Sequence, residues 1–318
     1  MTDPAASGVP QEVQGGYEDS FLVRNHIHPV VFAFVCLFLV FILYQIIGGT
    51  LTYLIVGQTE ITRDNVALVR LLTLVGQTIF ILLPTLLLAL LVNTRSAAVF
   101  QWKMPGGLET FFAALSLLFL QQVLQIYLYF QEMIPLPEPV REILGPLRES
   151  IEEMFRAIVA AESIPELLFV ILVVAVAPAV IEEMFFRGLV QYTFDRVVTP
   201  LRSALIVGVI FALYHFNPFA LVPLIVLGSF FGFLRYRSKS IVVAMTAHFL
   251  NNALAVLALY FGMEEDMLVG PSGGAEGEIA AVLAQLFLVG SLCALSFVAY
   301  LRFSGRGSAD AGRPPEQS

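Results

Sequence analysis

Several stretches of the chain are longer than eighteen residues and almost wholly apolar. A run of that length is enough to cross the hydrocarbon core of a membrane as a helix. The runs are continuous rather than alternating, which excludes a transmembrane β-barrel. Only 13% of the residues are charged, against about a quarter in a soluble domain. The sequence therefore predicts an all-α, polytopic bundle of transmembrane helices.

We predict eight membrane spans from these runs. The fifth and sixth are short, and they form a hairpin because only the tight connection at Asn217-Pro218 separates them. The predicted spans are 29–56, 66–92, 108–130, 164–195, 201–216, 219–234, 240–262 and 278–303.

Residues 138–162 have a different pattern from the spans. Their apolar residues recur at helical spacing with charged residues between them. Such an amphipathic helix is typical of the membrane interface, where one face contacts lipid and the other contacts water. We therefore predict one interfacial helix in addition to the eight spans.

Charge and cysteine content exclude other classes of protein. Lys and Arg total 17 against 25 Asp and Glu, without a dense basic patch, so we expect no nucleic-acid partner. Cys36 and Cys293 both lie in apolar runs, which argues against a disulfide framework or a cysteine-based metal site. The expected surroundings are the lipid bilayer and membrane-associated molecules.

The fourth predicted span contains charged residues, in the stretch PAVIEEMFFRG. An ionisable side chain at bilayer depth costs roughly 2.5–3.5 kcal/mol, so it implies a function or a partner. Glu183 and Arg187 are four residues apart and can form an ion pair on one helix face. Glu182 points about 100° away from Glu183 and is available for chemistry. The structural alternative is a Glu183–Arg187 pair that only neutralises itself.

Two further polar clusters lie in later spans. His215 is near the far end of the fifth span, and His248 and Asn252 share a face of the seventh. At about 1.5 Å per residue, Glu182, His215 and Asn252 lie about 18–21 Å from the cytoplasmic ends of their helices, and His248 about 12 Å. All four could meet in one cavity, which we expect among the fourth to seventh spans. The alternative is that each histidine only makes a helix–helix hydrogen bond.

Two kinds of chemistry fit these residues. A glutamate and a histidine can hold a water molecule and take its proton, while a second histidine and an amide stabilise the developing oxyanion. Alternatively, Glu182, His215 and His248 could ligate a divalent metal such as zinc and leave one position open for water. The residues leave the requirement for a metal open.

The catalytic sites of other types of intramembrane protease do not fit this sequence. The sequence has no H-E-x-x-H motif, and no pair of aspartates lies in the predicted spans. The residue types at 270–273 match the G-x-S-G pattern of rhomboid proteases, but these residues lie in an acidic loop without a flanking helix. We interpret that match as a coincidence.

The three clusters resemble the signature of the CPBP family of intramembrane proteases, which contains CAAX prenyl endopeptidases and bacteriocin-processing or Abi-type proteins. The family carries the motifs E-E-x-x-x-R, F-x-x-x-H and H-x-x-x-N or -D in that order. The resemblance covers roughly residues 165–260. The matching residues are Glu182, Glu183 and Arg187, then Phe211 and His215, then His248 and Asn252.

This resemblance implies a role for each of the six polar residues. Glu182 with His215 would activate the water, His248 and Asn252 would stabilise the oxyanion, and Glu183 and Arg187 would organise the site. The implied activity is hydrolysis of a peptide bond in a membrane-embedded or lipidated peptide. The alternative is a transporter or bacteriocin-immunity protein that uses the same residues to bind ions or protons.

The domain organisation follows from these patterns. Residues 1–28 and 304–318 are predicted to be disordered polar tails. Between them we expect N-terminal spans with the interfacial helix over 29–163 and a catalytic membrane core over 164–303. Most Lys and Arg residues lie on the side of the N-terminus, which predicts that both termini are cytoplasmic in a prokaryotic inner membrane.

Overall fold

The computed structural model describes residues 16–58, 60–263 and 276–304. These residues form helices and connecting turns, and no strand occurs among them. The main helices are α1 (Pro29–Val56), α2 (Val66–Val92), α3 (Gly107–Glu132), α4 (Glu138–Val159), α5 (Ile164–Phe194), α6 (Pro200–Tyr214), α7 (Leu221–Ser238), α8 (Ile241–Tyr260) and α9 (Glu276–Phe303).

The predicted all-α membrane bundle is confirmed, and the chain is an integral membrane protein. Seven helices of the described chain are long and apolar enough to cross a bilayer: α1, α2, α3, α5, α7, α8 and α9. The remaining predicted span corresponds to α6, which has only 15 residues. At 1.5 Å per residue, α6 is about 22 Å long, shorter than the hydrocarbon core of about 30 Å.

The amphipathic segment forms α4, whose apolar face is largely uncovered. Ile143, Met154 and Phe155 are exposed, as expected for a helix that contacts lipid. The buried Arg70 of α2 fastens the end of α4, because its guanidinium donates to the carbonyls of Ala157, Ile158 and Ala160. The same guanidinium pairs with Glu166 at the start of α5. The interfacial role of α4 stays a prediction.

Three of the long helices contain π-helical segments, in which the backbone hydrogen bond reaches one residue further than in an α-helix. They occupy Ile42–Gly48 in α1 and Thr78–Leu82 in α2. In α5 they occupy Ile171–Val176 and Met184–Val190. Such segments are rare and frequently lie at functional sites.

The hairpin of α6 and α7 packs through small residues. A Cβ on Gly208 would lie 2.5 Å from the backbone nitrogen of Ser229, and one on Gly228 would lie 3.0 Å from the Gly208 carbonyl oxygen. Gly232 faces Ala204 one turn further along. The two backbones can therefore approach closely, as in other small-residue contacts between membrane helices.

The prediction of disorder is wrong for residues 16–28. Ser20 caps a short helix, Phe21–Arg24, and Leu22 is fully buried in the main apolar cluster beside α1 and α5. The imidazole of His28 accepts a hydrogen bond from the Val30 amide and caps α1. The segment is ordered because its apolar and capping residues find partners, which its polar composition concealed. Residues 1–15, the G-x-S-G match at 270–273 and the predicted tail from 305 onward lie outside the described residues.

Candidate active site

The first part of the site is a buried ion-paired cluster. Glu183 of α5 accepts hydrogen bonds through one carboxylate oxygen, Oε1, from the Arg187 guanidinium and from Nδ1 of His248, each at 2.9 Å. Glu183, Arg187 and His248 are all buried. Because Nδ1 donates to the carboxylate, Nε2 of His248 is the ring nitrogen that remains for other interactions. The predicted Glu183–Arg187 pair therefore also orients a histidine from α8.

Aromatic rings and one glycine carbonyl surround this cluster. The Arg187 guanidinium lies 4.5 Å from the Phe211 ring centroid and donates to the Gly228 carbonyl at 2.9 Å. The Phe231 ring stacks on His248 at 5.2 Å. Taking a guanidinium out of water is costly unless it is paired and hydrogen-bonded. The α6–α7 hairpin supplies that carbonyl and cation–π contacts.

Glu182 and His215 line a separate cavity of about 260 Å³. A water molecule occupies about 30 Å³ in the liquid, so this volume holds several. The expectation of a cavity among the fourth to seventh spans is wrong for this cavity, because α1 and α2 form much of its wall. Its lining residues are Val40, Phe41, Tyr44 and Gln45 of α1, Ile81 of α2, Glu182, Phe185 and Phe186 of α5, and Tyr214 and His215 at the end of α6.

His215 is presented at the end of α6, where the helix stops short. Its Nδ1 lies 2.8 Å from the Phe211 carbonyl oxygen. A carbonyl only accepts, so Nδ1 carries the proton and Nε2 keeps a lone pair. The next residue, Phe216, has φ of 50°, a left-handed conformation that is unfavourable for a bulky residue. That turn ends the helix and leaves His215 exposed.

Glu182 is half-buried beside the π-helical segment Met184–Val190. Its Oε2 atom is buried and lacks a hydrogen-bond partner among the described residues. Buried carboxylate oxygens normally have a partner, and ordered water is a common one. The carboxylate of Glu182 can therefore hold a water molecule in the cavity.

Asn252 lies one turn beyond His248, and its side-chain amide donates to the Val174 carbonyl in α5 at 2.9 Å. Its amide oxygen accepts a hydrogen bond from Asn251. Neither His248 nor Asn252 lines the cavity that contains Glu182. The predicted residues thus lie in three places. Glu183, Arg187 and His248 form the buried cluster, Glu182 and His215 line the cavity, and Asn252 is hydrogen-bonded to α5.

The predicted metal ligands do not form a ligand set in this arrangement. No group of three or more His, Cys, Asp or Glu side chains in the described part of the chain is placed to hold a metal ion. His248 is held by Glu183, while Glu182 and His215 line the cavity. The requirement for zinc or another divalent metal stays a prediction.

The sequence analysis missed the residues that α1 and α2 contribute. Gln45 donates through Nε2 to the Tyr214 carbonyl at 3.3 Å, next to His215. Tyr44 of α1 lines the cavity, and Gln77 of α2 is buried. Both glutamines lie within apolar spans, so neutral polar residues inside those spans were the available signal.

Comparison with known proteins identifies the core of the fold. Residues 164–254 match the family model described as "Type II CAAX prenyl endopeptidase Rce1-like". This match supports an assignment to the CAAX protease family. No curated protein and no solved structure matches the chain.

The family match has direct consequences for the function. The chain is a peptide hydrolase, which decides between the enzyme and the transporter or immunity alternatives. All six predicted site residues fall within the matched segment, and they lie on α5, α8 and the end of α6. The helices that complete the cavity, α1 and α2, lie outside it.

Proposed function

We propose that this CAAX protease hydrolyses a peptide bond of a prenylated, membrane-associated peptide in the cavity lined by Glu182 and His215. The observation that carries the proposal is the presence of a carboxylate and an imidazole in one cavity large enough for several water molecules. A base and a hydrogen-bonding partner near one water are what general-base hydrolysis needs.

In the proposed reaction, water is the nucleophile. Glu182 takes one proton from the water while Nε2 of His215 accepts a hydrogen bond from it. The water oxygen forms a bond to the scissile carbonyl carbon, and the carbonyl oxygen becomes an oxyanion. When the carbon–nitrogen bond breaks, the proton held by Glu182 passes to the leaving nitrogen. The products are a carboxylic acid and an amine, and no cofactor is consumed.

The buried cluster has a positioning role in this proposal. Glu183 fixes His248 and Arg187, and Arg187 holds the Gly228 carbonyl of α7. These contacts connect α5, α7 and α8 around the residue next to Glu182. An oxyanion role for His248 and Asn252 remains a prediction, since neither side chain lines this cavity.

The cavity wall suits an apolar substrate. Apolar side chains surround Glu182 and His215: Val40, Phe41, Ile81, Phe185 and Phe186. Apolar walls with a few placed polar groups are typical of ligand sites. Aliphatic side chains beside the scissile bond would bury surface there. A covalently attached lipid would keep the peptide at the membrane.

We also propose that the protein lies in a prokaryotic inner membrane with both termini in the cytoplasm. The support for this orientation is the excess of Lys and Arg on the N-terminal side of the predicted spans. Single cysteines placed near each terminus of a Cys36→Ala, Cys293→Ala protein would test it. A membrane-impermeant maleimide should label both only after the cells are opened, and labelling in intact cells would refute this orientation.

The deciding experiment is peptide cleavage by the purified protein in detergent. The substrates are a farnesylated peptide ending in Cys-aliphatic-aliphatic-X and the same peptide without the lipid, each with a quenched fluorophore. We expect cleavage of the farnesylated peptide, loss of cleavage in Glu182→Gln and in His215→Ala, and retention of activity with a chelator. Full activity in Glu182→Gln would refute the proposed base, and loss with chelator that zinc restores would establish a metal site instead.

A further inference from the structure

We propose that Tyr44 of α1 donates a hydrogen bond to the oxyanion formed during cleavage. This inference rests on the proposed function of Glu182 and His215. It adds a residue that lies outside the family-matched segment 164–254 and assigns the first helix a part in the chemistry.

The backbone of α1 places Tyr44 at the cavity. Tyr44 lies in the π-helical segment Ile42–Gly48 and lines the same cavity as Glu182 and His215. Its ring packs against Gly76 of α2, where a Cβ would lie 3.6 Å from the ring carbon Cε2. The phenol is therefore held between the two helices, at the wall of the cavity that Glu182 also lines.

The other hydroxyl in the cavity wall is already used as a donor, because Tyr214 donates to the Leu37 carbonyl. Among the described lining residues, Tyr44 is thus the hydroxyl without a hydrogen-bond acceptor. A fixed donor beside the developing charge is the arrangement that stabilises an oxyanion.

The test compares Tyr44→Phe with the wild type on the farnesylated peptide. Loss of one oxyanion donor should lower kcat by about 100- to 1,000-fold with little change in KM. Tyr53→Phe is the matched control, because Tyr53 lies on the same helix and is 52% exposed. It should retain wild-type kcat.

A phosphinate analogue of the cleaved peptide gives a second readout. The phosphinate oxygen mimics the oxyanion, so Tyr44→Phe should weaken its inhibition by the same factor as kcat/KM. The ground-state peptide should bind unchanged.

The outcomes separate this inference from the proposed function. Wild-type kcat in Tyr44→Phe, with activity abolished in Glu182→Gln, overturns the role of Tyr44 alone. A shift of the acidic limb of the pH profile in Tyr44→Phe, without weaker phosphinate binding, also overturns it, because the phenol then acts on the Glu182 carboxylate. Activity retained in Glu182→Gln and His215→Ala means that the proposed function itself has failed.

Discussion

Gln45 and Tyr214 are 169 residues apart in the sequence and are joined by a hydrogen bond of 3.3 Å from the Gln45 amide to the Tyr214 carbonyl. The Tyr214 hydroxyl donates in return to the Leu37 carbonyl. Both bonds connect α1 to the last turn of α6, immediately before His215. The first helix therefore sets the position of a histidine that the family signature assigns to the core.

Gln45→Leu removes one of these bonds. We expect kcat to fall by about tenfold, because displacing His215 should raise the activation free energy by about 1.4 kcal/mol. The free energy of unfolding should fall by only about 0.5–1.5 kcal/mol, the usual contribution of one hydrogen bond. Peptide cleavage and thermal unfolding measure the two effects. The control is Gln58→Leu, at an exposed glutamine beyond the end of α1; equal loss in both variants would refute a specific role for Gln45.

Glu182 and Glu183 are neighbours, but neutralising the first should affect cleavage and neutralising the second should affect stability. Glu182→Gln should abolish cleavage and leave stability almost unchanged, since the side chain is half-buried and borders the cavity. Glu183→Gln should cost about 3–5 kcal/mol of stability, because Arg187 is left as a buried, unpaired charge. Denaturation in detergent alongside cleavage separates the two. An unstable Glu182→Gln with a stable Glu183→Gln would reverse our assignment.

The Glu183–Arg187 pair should show strong coupling in a double-mutant cycle. Arg187→Met alone is expected to destabilise the protein by about 3–5 kcal/mol. Combined with Glu183→Gln, the loss should be smaller than the sum of the single losses, because neither variant leaves an isolated charge once its partner is neutral. Additive losses would mean that the two side chains do not depend on each other.

Gly208→Ala tests the close contact of α6 with α7. Its Cβ would lie 2.5 Å from the Ser229 backbone nitrogen, so one backbone must move. We expect a loss of about 1–3 kcal/mol and reduced cleavage, because α6 carries His215. Gly290→Ala on α9 is the matched control, since its Cβ would meet nothing within 4 Å. Equal stability of the two variants would contradict tight packing at Gly208.

Arg70→Met should release the end of α4. The guanidinium is 2% exposed and binds three carbonyls at that end. We expect faster amide hydrogen exchange in residues 138–159 and little change in exchange elsewhere. Arg63→Met should leave exchange as in the wild type, because Arg63 is 84% exposed in its ion pair with Glu162. Unchanged exchange in Arg70→Met would show that other contacts hold α4.

Sequence patterns predicted the helices well because the free energy of placing them in lipid depends on length and hydropathy. The observed helices begin and end within four residues of the predicted spans, as α7 illustrates: 219–234 was predicted and Leu221–Ser238 is observed. Charged residues in the spans also identified α5, because burying charge is costly.

The arrangement of the site could be predicted only in part. Helical spacing indicated the Glu183–Arg187 pair, but it did not reveal that His248 joins that pair rather than the cavity. The rotation of α8 against α5 depends on packing that spacing does not encode. The contributions of Tyr44 and Gln45 were missed because a neutral polar residue costs far less in a membrane than a charge.

The short helix α6 has a consequence for the lipid around it. A helix of 15 residues leaves a hydrophobic mismatch of about 8 Å with a hydrocarbon core of about 30 Å. Neighbouring lipid relieves such a mismatch by thinning, at a cost of fractions of a kcal/mol per Å. The bilayer beside the hairpin would then be dimpled towards His215. An extended peptide and the water that cleaves it would travel a shorter distance through hydrocarbon there than through a core of full thickness.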